Sequence, residues 1–116
     1  MNKKYAITDK SIKLENGVSL YRIIALRDFS DVKKGDFGGY IQSESNLSHD
    51  MNCWVYDNSK VMGNARVFHN AKVLQNSEVK DNAWAYDNSR VADNSIVSGN
   101  IHIFHDTNIS NKANIR

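Results

Sequence analysis

Residues 58 to 93 read NSKVMG NARVFH NAKVLQ NSEVKD NAWAYD NSRVAD, six blocks of six that each open on asparagine. The phase runs back through Asn52 and Asn46 and forward through Asn94 and Asn100, and Asp106 and Lys112 then hold the same place. Three residues after each asparagine stands an aliphatic residue, from Val55, Val61 and Val67 to Val97, Ile103, Ile109 and Ile115, with Ala85 the smallest. The residue directly after the asparagine is usually small, as at Cys53, Ser59, Ala65, Ala71, Ser77, Ala83, Ser89 and Ser95. A repeat this regular decides the architecture before any other feature is weighed.

A period of six matches neither the 3.6 of a helix nor a simple hairpin ladder. Each block reads small, variable, aliphatic, variable, then a corner ending in asparagine. In a strand alternate side chains share a face, so the small and aliphatic residues point inward and the two variable ones outward. Asparagine tolerates left-handed backbone better than most residues and suits a corner. The residue before it is often Asp or Gly (Asp57, Gly63, Asp81, Asp87, Asp93, Gly99), which is also turn chemistry. Three short strands and three corners make a triangular coil of eighteen residues, in which residues eighteen apart stack at about 4.8 Å. The expected inward columns are Val55, Val73, Val91, Ile109; Val61, Val79, Val97, Ile115; and Val67, Ala85, Ile103. About four coils fit between Asn46 and Arg116. The fold class expected is therefore all-β, a parallel β-helix.

The units VMGNAR, VKDNAW and VADNSI resemble the hexapeptide repeat of left-handed β-helix proteins. That resemblance covers residues 46 to 116 and implies a left-handed coil, and frequently trimers packed side by side. On activity it says little, because the same coil serves enzymes and inert modules.

Residues 1 to 45 lack the repeat and are assigned to an N-terminal β cap, with 46 to 116 as the β-helix, together one structural domain. Ser11 to Phe29 reads as a hairpin, with Asn16-Gly17 as a two-residue turn. The run LYRIIAL (Leu20 to Leu26) is apolar enough for burial, and Gly38-Gly39 leads into the coils. A solenoid needs such a cap because its end coil exposes strand edges and open core. The strings LYRIIALRDF, GDFGGYI and NCWVYDN resemble small bacterial and phage-borne β-helix proteins, some loosely described as transferases. A phage origin would make inhibition of a host defence protein a natural use.

The charge balance of +2, from 15 basic and 13 acidic residues, argues against nucleic acid or an anionic membrane as partner. Nothing approaches the length of a transmembrane helix, and no signal-peptide core is evident. The single cysteine, Cys53, cannot close an internal disulfide, so the cytoplasm is the expected compartment. It falls at a small inward position and reads as an inert core residue.

The outward positions carry the functional signal. One face collects Arg66 and Phe68, Trp84 and Tyr86, then His102 and Phe104 on successive coils. The adjoining face begins with Trp54 and Tyr56. Burial in the coil does not explain these residues, because the inward positions are already taken. Contiguous exposed apolar surface marks interfaces, and Trp, Tyr and Arg are their common anchors. The ordinary alternatives are a cap folded over the face or simple β-propensity. We expect a non-enzymatic binding or assembly module, acting through self-association as trimer or dimer, through a protein partner, or through both.

Two chemical alternatives stand beside it. His69, Asp87 and His105 share one corner column and are conceivable zinc ligands, although a solvated corner is the ordinary reading and Ser110 lies where a third histidine is wanted. His102 resembles the general base of acyltransferases with this fold, but those enzymes add loops that build an acceptor pocket, and here no insertion interrupts the repeat. His49 sits at a nominal inward position, which suggests an irregular junction with the cap. No phosphate loop, Ser/His/Asp set or CxxC pair is present, and no cofactor is expected.

Overall fold

The computed structural model describes residues 3–116 and is built almost wholly of β-structure. Three longer strands come first: β1 Tyr5–Lys13, β2 Ser19–Ala25 and β3 Phe37–Ile41. A single 3-10 turn, Glu44–Asn46, follows. Eleven two-residue strands complete the chain: β4 Trp54–Val55, β5 Lys60–Val61, β6 Arg66–Val67, β7 Lys72–Val73, β8 Glu78–Val79, β9 Trp84–Ala85, β10 Arg90–Val91, β11 Ile96–Val97, β12 His102–Ile103, β13 Asn108–Ile109 and β14 Asn114–Ile115.

These short strands stack as three parallel sheets, ordered β4-β7-β10-β13, β6-β9-β12, and β5-β8-β11-β14 with β3, β2 and β1 continuing the last. Partners lie eighteen residues apart, as in Lys72↔Arg90 and Trp84↔His102. Every expected inward column forms. Val55, Val61, Val73, Val79, Ala85, Val91 and Val97 are wholly buried, and one continuous cluster runs from Tyr5 to Ile103. The molecule is thus a β-solenoid of about four turns, the parallel β-helix that the hexads imply.

The inward small residues are not interchangeable. Ser59 Oγ accepts the Ser77 amide, Ser77 Oγ the Ser95 amide and Ser95 Oγ the Ala113 amide, each at 3.1 Å. One column therefore carries a ladder of buried hydroxyls, each satisfied by the next coil. Ser89 belongs to the Cys53–Ala71 column, and its Oγ finds no partner among the described residues.

At most corners the left-handed residue is the one before the asparagine, including Asp57, His69, Asp81, Asp87 and His105 with φ between 55° and 61°. In one column both corner residues turn left-handed, Gln75-Asn76, Asp93-Asn94 and Asn111-Lys112. Elsewhere the backbone amide of the asparagine links coils, as Asn64 N donating to Asp81 O at 2.8 Å and Asn70 N to Asp87 O at 2.9 Å. Its side chain can add a second link, Asn64 Nδ2 to Asn82 Oδ1 at 3.2 Å.

Parallel stacking begins before the asparagine phase. Tyr40 and Ile41 of β3 pair with Lys60 and Val61, and Leu47 bridges to Val67, each partner twenty residues on. The first coil is wider by two residues, and the surplus falls between Leu47 and Trp54. Asn46 shares the period of six in sequence but has a different role. It is buried, its Oδ1 accepts the Gln42 and Ser43 amides, and its Nδ2 donates to Ala65 O at 2.8 Å.

The hairpin loop is Glu15-Asn16-Gly17 with Gly17 left-handed at φ 87°, closed by Leu14 N to Val18 O at 2.8 Å, rather than a two-residue Asn-Gly turn. β1 also starts at Tyr5, upstream of Ser11. The hairpin prolongs one sheet past the first coil, and Tyr5, Ile23, Ala25 and Val32 join the core there. Lys4 inserts beside them, wholly buried, with Nζ donating to Cys53 O at 2.6 Å and Met51 O at 3.3 Å and lying 3.3 Å from Cys53 Sγ. Burial lowers the lysine pKa and raises that of the Cys53 thiol.

Candidate interaction face

The sheet β6-β9-β12 places its outward side chains in two columns. Phe68, Tyr86 and Phe104 form one. Phe68 stacks on Tyr86 at 4.8 Å with planes 5° apart, and Tyr86 on Phe104 at 5.7 Å and 16°. Arg66, Trp84 and His102 form the other, where Trp84 and His102 stack at 4.8 Å and 5°. Edge-to-face contacts tie the columns together, Phe68–Trp84 at 5.5 Å and Tyr86–His102 at 5.8 Å. In-register stacking sets this geometry, because the coil repeat brings like positions to one spacing and ring pairs favour offset or T-shaped packing. Arg66, His102 and Phe104 are exposed and the other three half-buried, so the array is open to solvent, Phe104 at 40 %.

Trp54 and Tyr56 do not join it. Trp54 holds an outward position of its hexad yet is only 1 % exposed, because the N-terminal segment covers it. Phe29 meets its ring edge-on at 5.1 Å and Tyr5 at 6.2 Å. Tyr56 is half-buried and donates its hydroxyl to Asp31 Oδ1 at 2.7 Å. Both are therefore anchors for the cap and are withdrawn from the interaction face. The adjacent glycine pair shows how close the approach is. A Cβ on Gly38 would lie 2.6 Å from Trp54 Cζ2 and 2.8 Å from Val55 O, and one on Gly39 would collide with Ser59 O.

His69, Asp87 and His105 do come together along one corner. His69 Nδ1 and Asp87 Oδ1 are 3.2 Å apart, and Asp87 Oδ2 accepts the His105 amide at 2.9 Å. That amide, followed by His69, holds the Asp87 carboxyl below its ordinary value. Among the described residues no three His, Cys, Asp or Glu side chains converge on a point that would hold a metal ion. The corner binds itself, one coil to the next.

His102 makes no hydrogen bond to a described residue, so its ring is held by stacking on Trp84 rather than by a polar partner suited to proton transfer. His49 is tightly placed. It stacks on Tyr5 at 4.1 Å, its Nδ1 accepts the Lys4 amide at 3.2 Å, and its Nε2 therefore carries the proton donated to Glu44 Oε1 at 2.8 Å. That bond, with one from Lys3, lowers the Glu44 pKa. The widened first coil leaves an open groove of about 640 Å³ lined by Leu47, Ser48 and His49 on one side and Arg66, Phe68 and Trp84 on the other. Absence of loop insertions had implied little concavity. The two surplus residues of one corner make it.

The fold and the hexads together define a parallel β-solenoid of six-residue repeats. A 47-residue stretch is 43 % identical to the uncharacterized acetyltransferase YdcK of Escherichia coli strain K12, covering 40 % of this chain. The match spans 14 % of the length of that relative, well under two thirds of it. No family model matches the chain. No helix among the described residues is long and apolar enough to cross a membrane.

Proposed function

We propose that this chain is a non-enzymatic assembly module of the cytoplasm, working through self-association of its aromatic face. The observation that carries the reading is the open double column of Phe68, Tyr86, Phe104, Trp84 and His102, preorganised by stacking within the chain. Rings already locked against one another lose little side-chain freedom on docking, which favours an interface. Arg66 and the Tyr86 hydroxyl supply polar contacts beside the apolar area. A second and third copy packed side by side, as hexapeptide-repeat proteins commonly are, would cover the flat sheet. Light scattering tests this. Wild type is expected as a trimer or dimer, and the Trp84→Ala, Tyr86→Ala variant as a folded monomer. Two folded monomers would overturn self-association and leave the face to another protein, the arrangement that inhibition of a host protein would use.

The likeness to an acetyltransferase favours one second reading, acetyl transfer at a subunit junction with His102 as general base. In that case a neighbouring copy must supply the polar partner of the imidazole, since no described residue of this chain hydrogen-bonds it. Turnover of an acetyl donor by wild type and its loss in His102→Ala would support this reading, and wild-type inactivity across acceptor amines and alcohols would exclude it.

A further inference from the structure

The aromatic ladder ends abruptly at Phe68. Its ring is stacked by Tyr86 on the side of the later coils, 4.8 Å away. The residue aligned with Phe68 on the coil before it is Ser48, whose amide donates to Val67 O at 3.0 Å just as the Phe68 amide donates to Ala85 O at 3.1 Å. Ser48 thus occupies the next rung with a side chain too small to cover the ring. The nearest ring of that coil, His49, is turned away onto Tyr5 at 4.1 Å. The groove of about 640 Å³ opens at this missing rung.

The electrostatics of the groove are one-sided. Arg66 lines it, is exposed, and makes no hydrogen bond or ion pair with a described residue. Glu44, the acidic group on the wall, is already held by Lys3 at 3.2 Å and by His49 at 2.8 Å. An aromatic ring face beside an uncommitted guanidinium selects a ligand with a planar ring and an anionic group.

We propose that this groove binds a small planar aromatic anion, its ring stacked on Phe68 in the place of the missing rung and its carboxylate or phosphate paired with Arg66. The site is built within one chain and does not rest on self-association. A nucleotide and an aryl carboxylate share the required chemistry, and the two sources are separated by the probes.

Adenosine 5′-monophosphate and 2-naphthoate would be titrated into the full chain by calorimetry, with adenosine and 2-naphthalenemethanol as neutral counterparts and the solution mass read on the same samples. At least one anion is expected to saturate at sub-millimolar concentration and to bind about tenfold more tightly than its neutral counterpart. The anion that does so identifies the source. Arg66→Gln should remove that tenfold preference. Ser48→Tyr, which supplies the missing ring and gives up only the hydroxyl that accepts the Asp50 amide at 3.0 Å, should abolish binding in a chain that still melts cooperatively. Failure of both anions to saturate would overturn the proposal. So would wild-type affinity in Ser48→Tyr or in Arg66→Gln. A monomeric wild type that binds as described would sink self-association and leave this site standing, so the two readings fail separately.

Discussion

Trp54 and Trp84 stand at the same place of the hexad, each two residues after the asparagine and one before the inward aliphatic residue. The first is 1 % exposed and the second half-buried in an open face. Nothing in their own blocks, NCWVYD and NAWAYD, separates them. The difference comes from what passes over them. Trp54 lies on the first coil, where Tyr5, Phe29 and Gly38 close on it. Trp84 lies on a later coil, stacked with His102, aligned with Arg66 and open to the groove. The same residue type at the same repeat position thus serves folding in one case and an accessible surface in the other.

The strongest way to break that comparison is to truncate both. Trp54→Ala should lower stability by about 3–5 kcal/mol, as an emptied core site does. Trp84→Ala should cost under about 1 kcal/mol in a monomer, with its main effect on solution mass. Denaturant melts of the two variants at equal concentration measure this, and equal losses would mean the two faces do not differ. Gly38→Ala comes next, because its Cβ would lie 2.6 Å from Trp54 Cζ2 and backbone stands close behind. A loss of about 1–3 kcal/mol is expected, with Trp54 fluorescence shifted toward solvent. Gly17→Ala, at φ 87° but with open space around it, should cost nearer 1 kcal/mol.

The inner columns give a finer version of the same contrast. Ser95→Ala removes a hydroxyl that accepts the Ala113 amide at 3.1 Å and should cost about 1 kcal/mol. Ser89→Ala removes a buried hydroxyl with no described partner and should be neutral or stabilising. The smallest effect concerns acid. The folded-state pKa of Glu44 is depressed by His49 and Lys3, so its contribution is present above the unfolded value, about 4.3, and is lost as pH falls through the folded one. Glu44→Gln should flatten the acid limb of the stability curve by a fraction of a kcal/mol, since the pair is half-exposed. An unchanged acid limb would show that this junction adds nothing to the cap.

The asparagine phase, the aliphatic columns and the small inward residues were legible because each block makes its own strand and corner from local chemistry. A period repeated this often leaves a single way to stack, which is why the coil, its sheets and the alignment of outward rings eighteen residues apart followed directly. The two-residue corner ending in asparagine was legible, but not which of its two residues is left-handed. Asparagine and the residue before it are both turn formers, and only backbone geometry shows which takes positive φ. The groove was missed because its cause is a two-residue surplus between Leu47 and Trp54, in a stretch where Asn46 and Asn52 keep the phase and conceal it. A signal existed in the change of inward spacing from six at Ile41–Leu47 to eight at Leu47–Val55, readable only once β3 is known to be a coil strand.

The sequence by itself determined the period, and with it the parallel coil, the buried valines and the alignment of rings eighteen residues apart. These are local consequences of strand alternation and corner chemistry repeated without interruption. The tertiary structure alone decided which outward residues stay outward. Trp54 and Tyr56 went to the cap, Phe68 to Phe104 remained on the open sheet, and Ser48 left the ladder one ring short. That choice depends on contacts between residues as distant as Tyr5 and Trp54, and a repeat that specifies each block alike carries no record of them.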